Sequence, residues 1–170
     1  MKRFCAFLSV LAILNACQDN ETLRQEFTGN ESTYALLPGD TYPVSGIITF
    51  KEKNDGSTFV SIALTGTEGD VKHPVHLHMG GIDTPGADVT ALLNPVTGNT
   101  GVSETTIKQL ADETTITYQQ LIALDACIKV HLADSGPAKD IVLAGGNIGM
   151  AAADTPANGR AGIMTVCKSE

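Results

Sequence analysis

Tryptophan is absent from this chain, and all aromatic residues together make up 5% of it. A sugar-binding groove built on stacked rings has no material here. Cationic residues are scarce as well: 11 Lys and Arg stand against 19 Asp and Glu, for a formal charge of −8. That balance excludes tracking of a nucleic-acid backbone and charge-driven docking on anionic lipid. No apolar run reaches the roughly 20 residues that a membrane-spanning helix needs. No Gly-x-Ser-x-Gly, phosphate-loop, Rossmann glycine, His-Glu-x-x-His or EF-hand pattern occurs, so no familiar catalytic or nucleotide-binding constellation is present. Cysteine and histidine are limited to four each.

What is there begins with a leader. Lys2 and Arg3 precede an apolar run over residues 4–16, about 13 residues, the length of a signal-peptide core. The run ends Leu14-Asn15-Ala16-Cys17. It resembles the bacterial lipoprotein cleavage box, with Leu three places before the Cys and a small residue just before it. The resemblance implies a signal peptide over residues 1–16, cleavage before Cys17 and a lipid on its sulfur. The partner would then be a membrane, through that anchor, and the location the cell envelope, on the periplasmic or cell-surface side. The alternative is an ordinary secretory signal cut at an Ala. Loss of Lys2 and Arg3 takes the formal charge from −8 to −10.

Cys5 leaves with the signal and Cys17 carries lipid, so Cys127 and Cys167 remain as one pair. An oxidising compartment would join them. The bridge would close a loop of about 40 residues, worth on the order of 4 kcal/mol by chain entropy. Two buried free thiols are the alternative.

Residues 17–42 read as the lipidated Cys and a polar tether, with Leu23, Phe27, Tyr34, Leu36 and Leu37 as material for some packing. From residue 43 to 170 the chain reads as one β domain. Residues 44–51 alternate, Lys53-Asn54-Asp55-Gly56 is a hairpin signal, and residues 59–64 return. Further strands are expected at 71–79, 89–93, 101–107, 127–132, 141–148 and 163–167. Loops are expected at 94–99 and 150–159, with a helical turn near 118–123. About eight short strands separated by turn chemistry predict an all-β Greek-key sandwich or barrel.

Chemistry concentrates on histidine. Three lie in His73-Pro74-Val75-His76-Leu77-His78 and the fourth is His131. On a strand, His76 and His78 share one face, opposite Val75, Leu77 and Met79. His131 likewise leaves its strand opposite Ile128, Val130 and Leu132. Three imidazoles on outward faces form a candidate nitrogen-rich metal site, suited to copper or, less well, zinc. His73 has the parity of the core face, but Pro74 can shift the ladder there. It is a candidate fourth ligand or support. Asp83, Asp88 and Asp134 flank these segments and could orient rings.

Val75-His76-Leu77-His78-Met79-Gly80, a Gly/Pro loop, then residues 89–93 resemble the chordin-type repeat domain, CHRD. A helical turn at 118–123, a strand ending in His131, Ser135-Gly136-Pro137 and a returning strand at 141–149 continue the resemblance, which covers about residues 44–149. His73-x-x-His76-x-His78 also resembles the histidine strand of copper,zinc superoxide dismutase. That likeness implies a superoxide dismutase-like β-sandwich, with His76, His78 and His131 at copper-ligand positions and His73 as a supporting residue. Pro74 stands where that family has Gly. No histidine remains for a bridging ligand or a zinc site, which removes the family's usual proton route. Arg160 lies at a different spacing from Cys167 than the family's arginine has from its cysteine.

The sequence thus supports a cell-envelope lipoprotein with a CHRD-like domain that binds one copper or zinc ion, and it leaves open whether the domain is an enzyme. Two alternatives remain open. One is a metal-free interaction or adhesion domain, whose protein partner the sequence does not name. The other is a degenerate superoxide dismutase-like enzyme.

Overall fold

Apolar residues at every second position give a sheet one apolar face that must be buried, and here the sheet buries it by closing on itself. The computed structural model describes residues 26–39 and 41–153. Eight antiparallel strands form one closed barrel. They are β1 (Phe27–Pro38), β2 (Ser45–Lys53), β3 (Thr58–Thr65), β4 (Lys72–Met79), β5 (Val89–Thr97), β6 (Val102–Ile107), β7 (Asp125–His131) and β8 (Val142–Ile148). A four-residue helix, Tyr118–Leu121, precedes β7, a 3₁₀ turn, Pro137–Asp140, precedes β8, and a short helix, Gly149–Ala153, follows it. Among the described residues no helix is long and apolar enough to cross a membrane.

Neighbours run β1-β2-β3-β6-β5-β4-β7-β8, and β8 pairs back onto β1 through Leu37 and Pro38. The strands β4, β5 and β6 follow one another, and β7 returns to the far side of β4, which is a Greek key. This crossover places β4 beside β7. It brings two segments some fifty residues apart onto one patch of wall.

The barrel interior is apolar. Leu36, Ile48, Phe50, Val60, Val75, Leu77, Ile128 and Val130 are essentially without exposure. The β2–β3 hairpin is the most regular part, with eight successive register pairs from Ser45↔Thr65 to Glu52↔Thr58. Its turn works because Gly56 adopts φ of +80°, a conformation that costs glycine nothing.

Several expectations need correction. Residues 27–38, assigned to the tether, form β1 and close the barrel. The domain therefore begins well before residue 43. The polar stretch Gly29-Asn30-Glu31-Ser32 conceals this strand, since only from Ser32 onward do alternate residues, Tyr34 and Leu36 among them, turn inward. The expected loop at 94–99 is largely strand, because β5 continues to Thr97. The register shifts between His73 and Val75, opposite Asn94 and Pro95, so a bulge absorbs two prolines that cannot donate to the ladder. Met79 was expected in the core but is 41% exposed at the barrel end, beyond a second shift at Leu77/His78. Residues 150–153 are helical. The expected leader at 1–16, Cys17, the strand at 163–167, Arg160 and Cys167 lie outside the described residues.

Candidate metal centre

The β4 side chains divide cleanly. Val75 and Leu77 enter the barrel at 1% exposure each, while His76 and His78 leave it. On β7, Ile128 and Val130 point in and leave Lys129 and His131 outside. Register then fixes the neighbours: His76 opposes Lys129, and His78 opposes Cys127. One step further along β7, His131 lies diagonally beside His76. Sequence parity anticipated this shared face. It could not supply the pairing, which depends on the Greek-key crossover.

Loops roof the patch. Residues 80–88, between β4 and β5, cross the outside of β7 and β8. The Ile82 amide donates to Asn147 Oδ1 at 2.7 Å. Gly145, opposite Lys129, lies close beneath this loop: a Cβ there would sit 2.9 Å from the Ile128 carbonyl oxygen and 2.7 Å from Ile82 Cδ1, and the backbone contact cannot give way. Under this roof His78 is 8% exposed and His131 9%, although both face away from the core. His76 is half-buried and forms the outer edge of the cluster.

The three rings face one another. Ring centroids of His76 and His131 are 4.8 Å apart, those of His76 and His78 5.7 Å, and those of His78 and His131 6.0 Å. One nitrogen from each ring lies within 4.8 Å of the other two. An ion bound at about 2.0–2.1 Å from each nitrogen would draw them to about 3.3–3.6 Å. Small side-chain rotations close that difference.

Hydrogen bonding strengthens the case. His78 Nδ1 lies 2.9 Å from the Ala87 carbonyl oxygen. A carbonyl only accepts, so Nδ1 carries the proton and Nε2 keeps its lone pair. That Nε2 is buried without a partner, as are both nitrogens of His131. The Lys139 backbone lies near His131 but not in hydrogen-bonding geometry. Buried polar atoms are almost always paired, and each exception calls for a cause. Here three exceptions fall within one cluster, and a metal ion would take up two of them, His78 Nε2 and one nitrogen of His131, the second His131 nitrogen keeping its proton. The fit between donor set and metal is therefore good: His76, His78 and His131 could hold a metal ion.

The rings are also in the right protonation state. Burial, then the charge of His76, pushes His131 down to about 4. Burial, then His78, lowers His76. Both rings are neutral at pH 7 and their lone pairs are available.

The remaining candidates fall elsewhere. His73 is not in the cluster. It is 4% exposed on the inward parity of β4, and its Nδ1–H donates to the Leu132 carbonyl at 3.2 Å, one residue past His131. It braces the end of β7. Neither ring hydrogen bond goes to Asp83, Asp88 or Asp134; both accepting groups are backbone carbonyls. Nothing in the sequence marks Ala87 for that role. Cys127 is fully buried and, among the described residues, has no disulfide partner. Burial raises its pKa, so it stays protonated and is not a thiolate donor. Its expected partner Cys167 is outside the described residues. Beside the cluster runs a cavity of about 410 Å³ lined by Ile82, Asp83, Lys129 and Gly145 among others.

No family model, curated protein or solved structure matches the chain.

Proposed function

We propose that this chain is a metal-binding domain that holds one copper ion through His76, His78 and His131. The observation that carries it is the set of three buried, unpartnered imidazole nitrogens on a single outer patch. An all-imidazole site suits copper or zinc, and copper is the first choice. When bound, copper supplies a Lewis acid with access to one-electron chemistry. The residues do the rest: His78 is oriented by Ala87, His131 is kept neutral by burial, and the 80–88 loop limits water. His73 holds the strand end that carries His131. Among the described residues no carboxylate joins the cluster, and burial raises the pKa of the Cys127 thiol opposite His78; both support a binding role.

The proposal extends to context. The CHRD resemblance supports an extracytoplasmic domain, and the Leu14-Asn15-Ala16-Cys17 box supports a cell-envelope lipoprotein anchored through Cys17. Fatty-acid labelling that disappears in Cys17→Ser is the expected result for the anchor.

The metal reading is tested by titrating purified residues 18–170 with Cu(II), and separately with Zn(II), alongside His76→Ala/His78→Ala. One equivalent of Cu(II) with nitrogen hyperfine structure in electron paramagnetic resonance, lost in the double variant, is expected. Absence of stoichiometric binding of either ion would leave a metal-free interaction domain as the better account.

A further inference from the structure

Lys129 is the one charged side chain that the register sets directly against a proposed ligand. It opposes His76 on the outer face and precedes His131 by two residues on the same face of β7. Directly opposed residues have Cβ atoms about 5 Å apart, and same-face neighbours along a strand lie about 6.5–7 Å apart. Lys129 makes no ion pair within 4 Å among the described residues. The cluster itself is three imidazoles, and no carboxylate joins it. Asp83 shares the cavity with Lys129 without pairing to it, and it lies on the side of Cys127. The charged groups felt by His131 are the other two histidines and Lys129, and none is acidic.

We propose that this site is built for the cuprous ion: it binds Cu(I) more tightly than Cu(II), with Lys129 setting part of that preference. The inference rests on the copper reading above and names the oxidation state that the site takes. Three physical terms point the same way. A dication in a largely dry pocket with only neutral ligands lacks compensation, and a monocation needs less of it. A nearby ammonium repels Cu(II) about twice as strongly as Cu(I). Three imidazole donors satisfy a low-coordinate monocation, whereas Cu(II) prefers tetragonal surroundings with more ligands. His78 and His131 are held by strand and loop, and no further His, Cys, Asp or Glu among the described residues joins the three-histidine cluster.

The test uses the copper-loaded protein. Cu(II) binding is established first by titration. The reduction potential of the bound ion is then measured and compared with that of the aqueous copper couple. The series Lys129→Gln and Lys129→Glu is run beside it, with Lys51→Glu on β2 as a charge control remote from the site. A potential above the aqueous couple is expected. The ratio of Cu(I) to Cu(II) affinity should fall about tenfold for each unit of charge removed at position 129, a shift of about 59 mV per tenfold. Lys51→Glu should leave it unchanged. A potential at or below the aqueous couple overturns the proposal. So does a change of less than threefold across the Lys129 series. Failure to bind copper at all instead removes the reading on which the inference stands.

Discussion

The β2–β3 hairpin and the β4–β7 wall are built from the same kind of strand, yet they obey different rules. From Ser45↔Thr65 to Glu52↔Thr58 the hairpin ladder has no irregularity. On the histidine wall the β4–β7 ladder is itself regular, but the ladders that flank it shift three times, β4–β5 at His73/Val75 and Leu77/His78 and β7–β8 at Val130/His131. Every shift adjoins a histidine. A bulge re-aims a side chain without moving the core residues next to it. The ladder that joins the two histidine strands stays regular, and irregularity is confined to their outer neighbours, where it lies next to the rings.

The contrast also holds across the thickness of β4, and it can be broken on the inner side first. Leu77 is 1% exposed in the core, so Leu77→Ala should cost about 2–5 kcal/mol. Urea unfolding of the metal-free protein measures this, and a loss below 1 kcal/mol would contradict the packing described here.

The outer face should respond to pH. An unfolded histidine takes its proton near 6.5, while folded His131 resists until about 4. Between those values the unfolded chain holds more protons, so stability falls with falling pH. The full contribution is present above about pH 6.5, and its loss is complete below about pH 4. The loss approaches about 3 kcal/mol for His131, and the lowered pKa of His76 acts in the same direction. Unfolding midpoints at pH 7.5 and 4.5 should separate by less in His131→Leu, which lacks the titrating ring. Equal separation in both proteins would remove His131 as the cause.

A smaller effect of opposite sign sharpens the comparison. His131→Leu deletes two buried nitrogens that have no partner, so metal-free protein at pH 7.5 should gain about 1 kcal/mol. The same variant should lose the stabilisation that copper gives, about 2.7 kcal/mol at a hundredfold excess over Kd. Thermal melts with and without the ion read both numbers. Last, Gly56→Ala in the regular hairpin should cost about 1 kcal/mol through its φ of +80° alone, since a Cβ there meets nothing within 4 Å. Copper affinity should not change.

Much of this was legible in the sequence, and the exceptions have physical reasons. The strands β2, β3, β4, β6, β7 and β8 announce themselves by alternation and by the turns between them. The strand β1 hides because Thr28-Gly29-Asn30-Glu31, near its start, is polar and exposed or only partly buried before the inward set begins at Ser32. In β5, Asn94-Pro95 carries loop chemistry inside a strand, and only the facing bulge at Pro74 makes room for it. The outward parity of His76, His78 and His131 is a local property and was readable. That Lys129 faces His76, that Ala87 orients His78 and that His73 serves the backbone beside His131 all depend on non-local pairing and loop closure. No single strand encodes them.

The crossover that sets β7 against β4 also sets a clock. His76 and His78 leave the ribosome some fifty residues ahead of His131, and the intervening strands β5 and β6 must take their places before the wall is complete. Such distant pairing is late and slow in folding. An extended chain presents scattered imidazoles, so the three-ring site exists only at the end of that process. Whichever compartment hosts the final zipping of β7 onto β4 therefore determines which ion the newborn site meets first.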